Sequence, residues 1–123
     1  MKKILIVDDN KDLLSELKEA FEGAGYKVAA AADGKSALEL TVKVSPDLLL
    51  LDLNLPDISG FEVAHTLKTG KETRTIPIIT MTGHYSEEER KYAINICGIR
   101  KCLTKPLEIK ELFKEIDELL EEG

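Results

Sequence analysis

Five short apolar runs, each followed by a turn and an amphipathic stretch, leave this chain very few folds. The runs are residues 4–7, 26–31, 48–51, 76–81 and, more weakly, 101–103. The first, third and fourth are rich in Ile, Leu and Val without alternation, as strands of a parallel sheet covered on both faces are. Between the runs, apolar residues return at helical spacing. Leu13, Leu14, Leu17, Ala20, Phe21 and Ala24 form one stripe ahead of Gly25, and Ile109, Leu112, Phe113, Ile116, Leu119 and Leu120 form another. The opposite face of that last stretch is Lys, Glu and Asp, a solvated surface. Further helices near 35–43, 60–68 and 86–96 complete five strand–helix units. Such alternation predicts an α/β fold with a parallel sheet between two helical layers. Right-handed crossovers make it a doubly wound three-layer sandwich.

Composition narrows the function as the rhythm narrows the fold. The 123 residues are 43% apolar and 33% charged, enough to bury one core and remain in solution, and they read as a single domain over 1–123. Seventeen Lys and Arg against 23 Asp and Glu leave a net charge of −6, which argues against nucleic acid or an anionic membrane as a direct partner. No apolar run approaches the roughly 20 residues that a bilayer requires. The stretch after Met1-Lys2-Lys3 is too short for a signal sequence, so a cytoplasmic location is expected. Cys97 and Cys102 make no disulfide framework, and buried structural thiols are favoured over a metal pair.

Ligands of open parallel sheets bind beyond the carboxyl ends of the strands, near the point where strand order reverses. Asp8 and Asp9 follow the first run, Asp52 the third, Thr82 the fourth and Lys105 the fifth. Each has an ordinary reading. Asp8-Asp9 would cap the helix that begins near Asn10, Thr82 would be a turn residue, and Lys105 a surface lysine. Asp52 fits that pattern least, because an unpaired carboxylate at the mouth of a buried strand costs several kcal/mol. Three converging carboxylates repel one another unless a cation lies among them, and hard oxygen ligands suit Mg²⁺. Thr82 and Lys105 opposite them suit a phosphoryl group.

Ile6-Val7-Asp8-Asp9-Asn10, Pro46-Asp47 running through Leu48–Leu51 to Asp52, the Pro56…Gly60 loop, Met81-Thr82-Gly83 and Thr104-Lys105-Pro106 together resemble a receiver domain of two-component response regulators, over essentially the whole chain. The resemblance implies a flavodoxin-like strand order of 2-1-3-4-5 with five helices. It implies that Asp52 is the nucleophile that becomes an aspartyl phosphate. Asp9 matches a direct Mg²⁺ ligand, Asp8 a ligand through water, and Asn54 the residue whose backbone carbonyl adds another. Thr82 matches the hydroxyl that moves onto a phosphoryl oxygen, and Lys105 the ammonium that pairs with a second one. Asn54 and His84 occupy positions that tune dephosphorylation, although an exposed loop histidine is an equal reading of His84. Pro106 matches a position that commonly follows a cis bond.

The chain also departs from that pattern. Where the family usually has Tyr or Phe, three residues before the Lys, there is Cys102, and a small thiol cannot fill a ring's space. The loop before the fifth run reads Gly98-Ile99-Arg100-Lys101, basic where the family is often acidic, which puts the charge pairs of dimeric members in question. Leu107 replaces a frequent Phe. The expectation is a Mg²⁺-dependent phosphoacceptor switch, not an enzyme with an external product. Its partners would be a histidine kinase or histidine phosphotransfer protein and an unidentified downstream target. They would meet the surface of the fourth helix, fifth strand and fifth helix, with the chain a monomer or a phosphorylation-dependent dimer. The alternatives are a receiver-like interaction module that takes no phosphate and, more remotely, an aspartyl-nucleophile Mg²⁺ phosphatase. Against the phosphatase, Asn54 stands where an acid–base carboxylate would be needed. With no linker or second domain in 123 residues, the chain is a stand-alone receiver or one excised from a larger protein.

Overall fold

In a computed structural model, which describes residues 1–122, the five strand–helix units alternate throughout. They are β1 (Lys3–Val7), α1 (Lys11–Gly23), β2 (Lys27–Ala31), α2 (Gly34–Val44), β3 (Leu48–Asp52), α3 (Gly60–Thr69), β4 (Ile78–Thr82), α4 (Glu87–Asn95), β5 (Lys101–Thr104) and α5 (Ile109–Glu122). All strand pairs are parallel, in the order β2-β1-β3-β4-β5. Gly123, the end of the expected domain span, lies outside the described residues.

Strand parity sorts the helices. Leu5, Val7, Leu49, Leu51 and Ile78 point to one side, where Ala37 of α2, Val63, Ala64 and Leu67 of α3, and Ala93 of α4 cover them. Ile4, Ile6, Leu48, Leu50, Ile79 and Met81 point to the other, against Leu14, Leu17 and Phe21 of α1 and Leu112, Ile116 and Leu119 of α5. Unalternating runs are therefore what a sheet buried twice requires.

Several boundaries differ from those read in the sequence. Asp52 and Thr82 are the last residues of β3 and β4, not residues beyond them. Ile76 is buried, but Pro77 precedes the strand, which begins at Ile78. Ile109, placed on the α5 stripe, is 39% exposed, and the buried stripe begins at Leu112. Ala24 is also exposed, serving as the C-cap of α1 ahead of Gly25, whose φ of +96° suits glycine. Cys97 is buried as expected, whereas Cys102 is only half-buried because β5 is an edge strand.

Candidate functional site

Strand order reverses between β1 and β3, so the carboxyl ends of these neighbours open a crevice. Asp8 and Asp52 lie there, since the last β1–β3 register pair is Val7 with Leu51. Asp8 is fully buried and Asp52 is 4% exposed. Between them reaches Lys105, from the end of β5, with Nζ 2.7 Å from Asp8 Oδ2 and 3.3 Å from Asp52 Oδ2. Its other anchor is the main chain, where Lys105 N–H donates to the Thr82 carbonyl at 2.7 Å. The Lys105–Pro106 peptide is cis.

Backbone donors hold the remaining carboxylate oxygens. Asn10 N–H donates to Asp8 Oδ1 at 2.9 Å, and Asn54 N–H to Asp52 Oδ1 at 3.0 Å. Asn10 itself caps α1, its Oδ1 accepting from Asp12 and Leu13. The capping reading of Asp8-Asp9 therefore falls away, and both carboxylates are left to the crevice. Asp9 is exposed, and one carboxylate oxygen from each of Asp8, Asp9 and Asp52 lies within 4.8 Å of the others. That donor set suits a hard divalent cation.

Burial pushes the Asp52 carboxyl upward from the ordinary range, and the Asp8 charge adds to this, while the Asn54 amide and Lys105 oppose it. Lys105 is affected in turn. Burial works against its charge, but the hydrogen bond to Asp8 and the charges of Asp52 and Asp8 outweigh it and hold its pKa up. Together the shifts describe two crowded, buried carboxylates whose charge the one fixed cation of Lys105 offsets only in part.

Thr82, 3% exposed, completes the site. Its Oγ1 accepts a 2.8 Å hydrogen bond from Asn54 Nδ2, so the loop after Asp52 is tied to the end of β4. His84 is exposed beyond it. The β3–α3 loop closes tightly on this crevice, with Gly60 N–H donating to the Leu53 carbonyl at 3.0 Å. A Cβ on Gly60 would lie 2.4 Å from the Asp52 carbonyl oxygen and 2.6 Å from Leu53 Cα, so glycine is required there.

Two contributors had no signal in the sequence. Asp57 accepts from Gly34 and Lys35 at 2.8 and 2.9 Å, which pins the β3–α3 loop to the start of α2. Those bonds hold its carboxyl down to about 2, yet nothing local in the sequence points to a partner 23 residues away. Tyr85 buries its ring beside Thr80, and its only sequence mark is an aromatic residue three places after Thr82. Lys101, read as part of the basic loop, is instead the first residue of β5, and it bonds Glu115 and Glu118 of α5 within the same chain. Among the described residues, no helix is long and apolar enough to cross a membrane.

Comparison with known proteins agrees with this geometry. The family model described as the response regulator receiver domain matches residues 4–117. The transcriptional regulatory protein CpxR of Escherichia coli K12 is 40% identical over 120 residues, which cover 98% of this chain and 50% of CpxR. The chain thus spans about half the length of that relative. The polar-differentiation response regulator DivK of Brucella ovis is 33% identical over 121 residues, covering 97% of this chain and 96% of DivK. Among solved structures, a CheY-like receiver domain protein from Methanospirillum hungatei superposes with a TM-score of 0.93 at 31% identity, covering 99% and 95% of the two chains. The chemotaxis protein CheY4 of Vibrio cholerae gives 0.91 at 29% identity, covering 97% and 98%.

Proposed function

The chain belongs to the response regulator receiver family of two-component systems, and from that premise we propose that it is a phosphoacceptor switch with Asp52 as the acceptor. The observation that carries the reading is the single ammonium of Lys105 shared by two buried carboxylates, Asp8 and Asp52, at the crevice where strand order reverses. In the proposed step an Asp52 carboxylate oxygen bonds to phosphorus as the bond from phosphorus to the donor's imidazole nitrogen breaks. The imidazole leaves with the electron pair. Such transfer needs alignment and charge neutralisation more than covalent help.

Asp8, Asp9 and Asp52, with the backbone carbonyl of Asn54, are the residues that would hold Mg²⁺. When bound, that ion supplies charge neutralisation for the incoming phosphoryl oxygens. Lys105, at the same two carboxylates, would contribute a second positive charge. Thr82 would give up the amide of Asn54 and donate its hydroxyl to a phosphoryl oxygen. Asn54 and His84, at the rim, would set how readily water reaches the phosphorus. The donor would be a histidine kinase or histidine phosphotransfer protein in the cytoplasm. The changed surface would be that of α4, β5 and α5, toward a downstream target and without direct nucleic-acid contact by this domain. The chemistry would be self-phosphorylation and self-dephosphorylation, with no external product.

Intact mass after incubation with acetyl phosphate tests this. One added phosphoryl group is expected with Mg²⁺, and none with EDTA or in Asp52→Asn. Absence of the adduct in a folded protein that also fails to bind beryllofluoride would overturn the reading in favour of an interaction module.

A further inference from the structure

Beyond Thr82 the chain enters the β4–α4 loop and, three residues later, buries an aromatic ring. Tyr85 is 9% exposed. Its hydroxyl lies 2.9 Å from Oγ1 of Thr80, a buried residue of β4. The Cys102 side chain of β5 touches the same hydroxyl, and Thr80 and Cys102 are register partners across the two strands. From α4, the Arg90 guanidinium lies 4.8 Å from the ring centroid, and its Nη1 donates to the Cys102 carbonyl at 3.3 Å. One ring therefore joins β4, β5 and α4 while hanging from the loop that leaves the phosphoryl site. A large side chain at Cys102 would compete for this space, and the small thiol leaves it to Tyr85.

The link between site and ring is short. Thr82 Oγ1 is held by Asn54, and only Gly83 and His84 separate Thr82 from Tyr85. Gly83 has no atom within 4 Å of where a Cβ would stand, and His84 is exposed, so neither residue is clamped. With only two residues between them, this loop is the direct covalent route from Thr82 to the ring. The ring end of the link is different. It is packed and hydrogen-bonded, and packed contacts move between discrete arrangements instead of deforming gradually.

We propose that Tyr85 is the positioning residue that transmits occupancy of Asp52 to α4 and β5: movement of Thr82 toward a phosphoryl group breaks the Tyr85–Thr80 bond, turns the ring, and frees Arg90 from the Cys102 carbonyl. The inference rests on the phosphoacceptor reading and adds to it a loop-borne aromatic relay. Arg90 is the surface group whose position reports the state of the site.

The three tyrosines and absence of tryptophan make this directly measurable. With 3-fluorotyrosine incorporated, ¹⁹F NMR gives one resonance each for Tyr26, Tyr85 and Tyr92, assigned with single Tyr→Phe variants. Tyr92 reports on α4, where its ring meets Phe61 with centroids 5.4 Å apart. Adding Mg²⁺ and beryllofluoride should produce a bound beryllofluoride signal, shift Tyr85 and Tyr92, and leave Tyr26 in place. In Tyr85→Leu the bound signal should persist while the Tyr92 shift is lost. If that variant does not fold, Tyr85→Phe keeps the ring, removes the hydroxyl with its Thr80 and Cys102 contacts, and should diminish the Tyr92 shift. A bound signal with Tyr85 unmoved, or a full Tyr92 shift without the Tyr85 hydroxyl or ring, overturns the relay and spares the phosphoacceptor reading. No bound signal at all overturns both.

Discussion

Asp52 has almost no exposed surface and lies next to Asp8, which has none, with one lysine between them. Removing the Asp52 charge should therefore relieve the metal-free fold, even though it removes function. Asp52→Asn keeps the size and can still accept from the Asn54 amide, while Lys105 keeps Asp8 as its partner at 2.7 Å. We expect this variant to be more stable than the parent by about 1 kcal/mol at pH 7 without divalent cations, as functional-site substitutions often are. The sign follows from linkage. A carboxyl whose folded pKa is raised favours its protonated form in the fold, so ionised Asp52 costs stability at neutral pH. That cost diminishes as pH falls through the folded pKa toward the ordinary carboxylate range, and the advantage of Asp52→Asn should shrink with it. Urea midpoints at pH 7 and pH 5 with EDTA decide this, and a less stable variant at pH 7 would refute it.

At the scale of elements, α4 is the helix with the least hold on the core. Ala93 is its one buried residue, and Tyr92 and Ile94 are close to half exposed. What keeps it helical is its start. Ser86 and Glu89 form a reciprocal capping box at 3.0 Å each way, and Glu87, Glu88 and Glu89 face the positive end of the helix dipole. Ser86→Ala should cost about 1 kcal/mol. Because so little of α4 is buried, the loss should appear as local opening. Hydrogen exchange should quicken along α4 and stay unchanged in α3, whose Val63, Ala64 and Leu67 are buried; uniform quickening of both helices would contradict this. The cap residues also show what the sequence reveals of elements. The helix read over 86–96 was located correctly, but Ser86 and Ile96 are its caps, since periodicity does not distinguish a helical residue from the one that terminates it. β1, β3 and β4 were legible because burial on both faces demands unbroken apolar runs, whereas β5, at an edge, carries only a faint one. Asp8, Asp52 and Thr82 were legible as polar residues ending such runs. Asp57 was not, because its partners at the start of α2 come from another part of the chain. Strand order came from the resemblance, as alternation alone allows several.

The molecule as a whole is a sheet clamped between two unlike layers, and the α1–α5 layer is closed by aromatic contact. Phe21 meets Phe113 edge-on with ring centroids 5.1 Å apart, and Tyr26 edge-on at 6.1 Å. The Tyr26 hydroxyl donates to the Asp117 carboxylate, so the residue that leads into β2 is fastened to α5. Burial first, then the Asp117 bond and the charges of Asp117 and Glu121, raise the Tyr26 pKa to about 12. A raised tyrosine pKa means that the folded state favours the neutral phenol. The stabilisation is thus complete below the ordinary value near 10 and is lost as pH rises from there through about 12. Tyr26→Phe keeps the ring and removes the hydroxyl. It should lower stability at pH 8 by roughly 0.5 kcal/mol, the share of a solvent-accessible hydrogen bond. It should also take away the Tyr26 part of the alkaline decline, so that the variant's lower urea midpoint at pH 8 draws level between pH 10 and pH 12 and then exceeds the parent's. If the gap persists at pH 12, the Asp117 bond is not its source, and the variant's loss must be assigned to packing against Phe21.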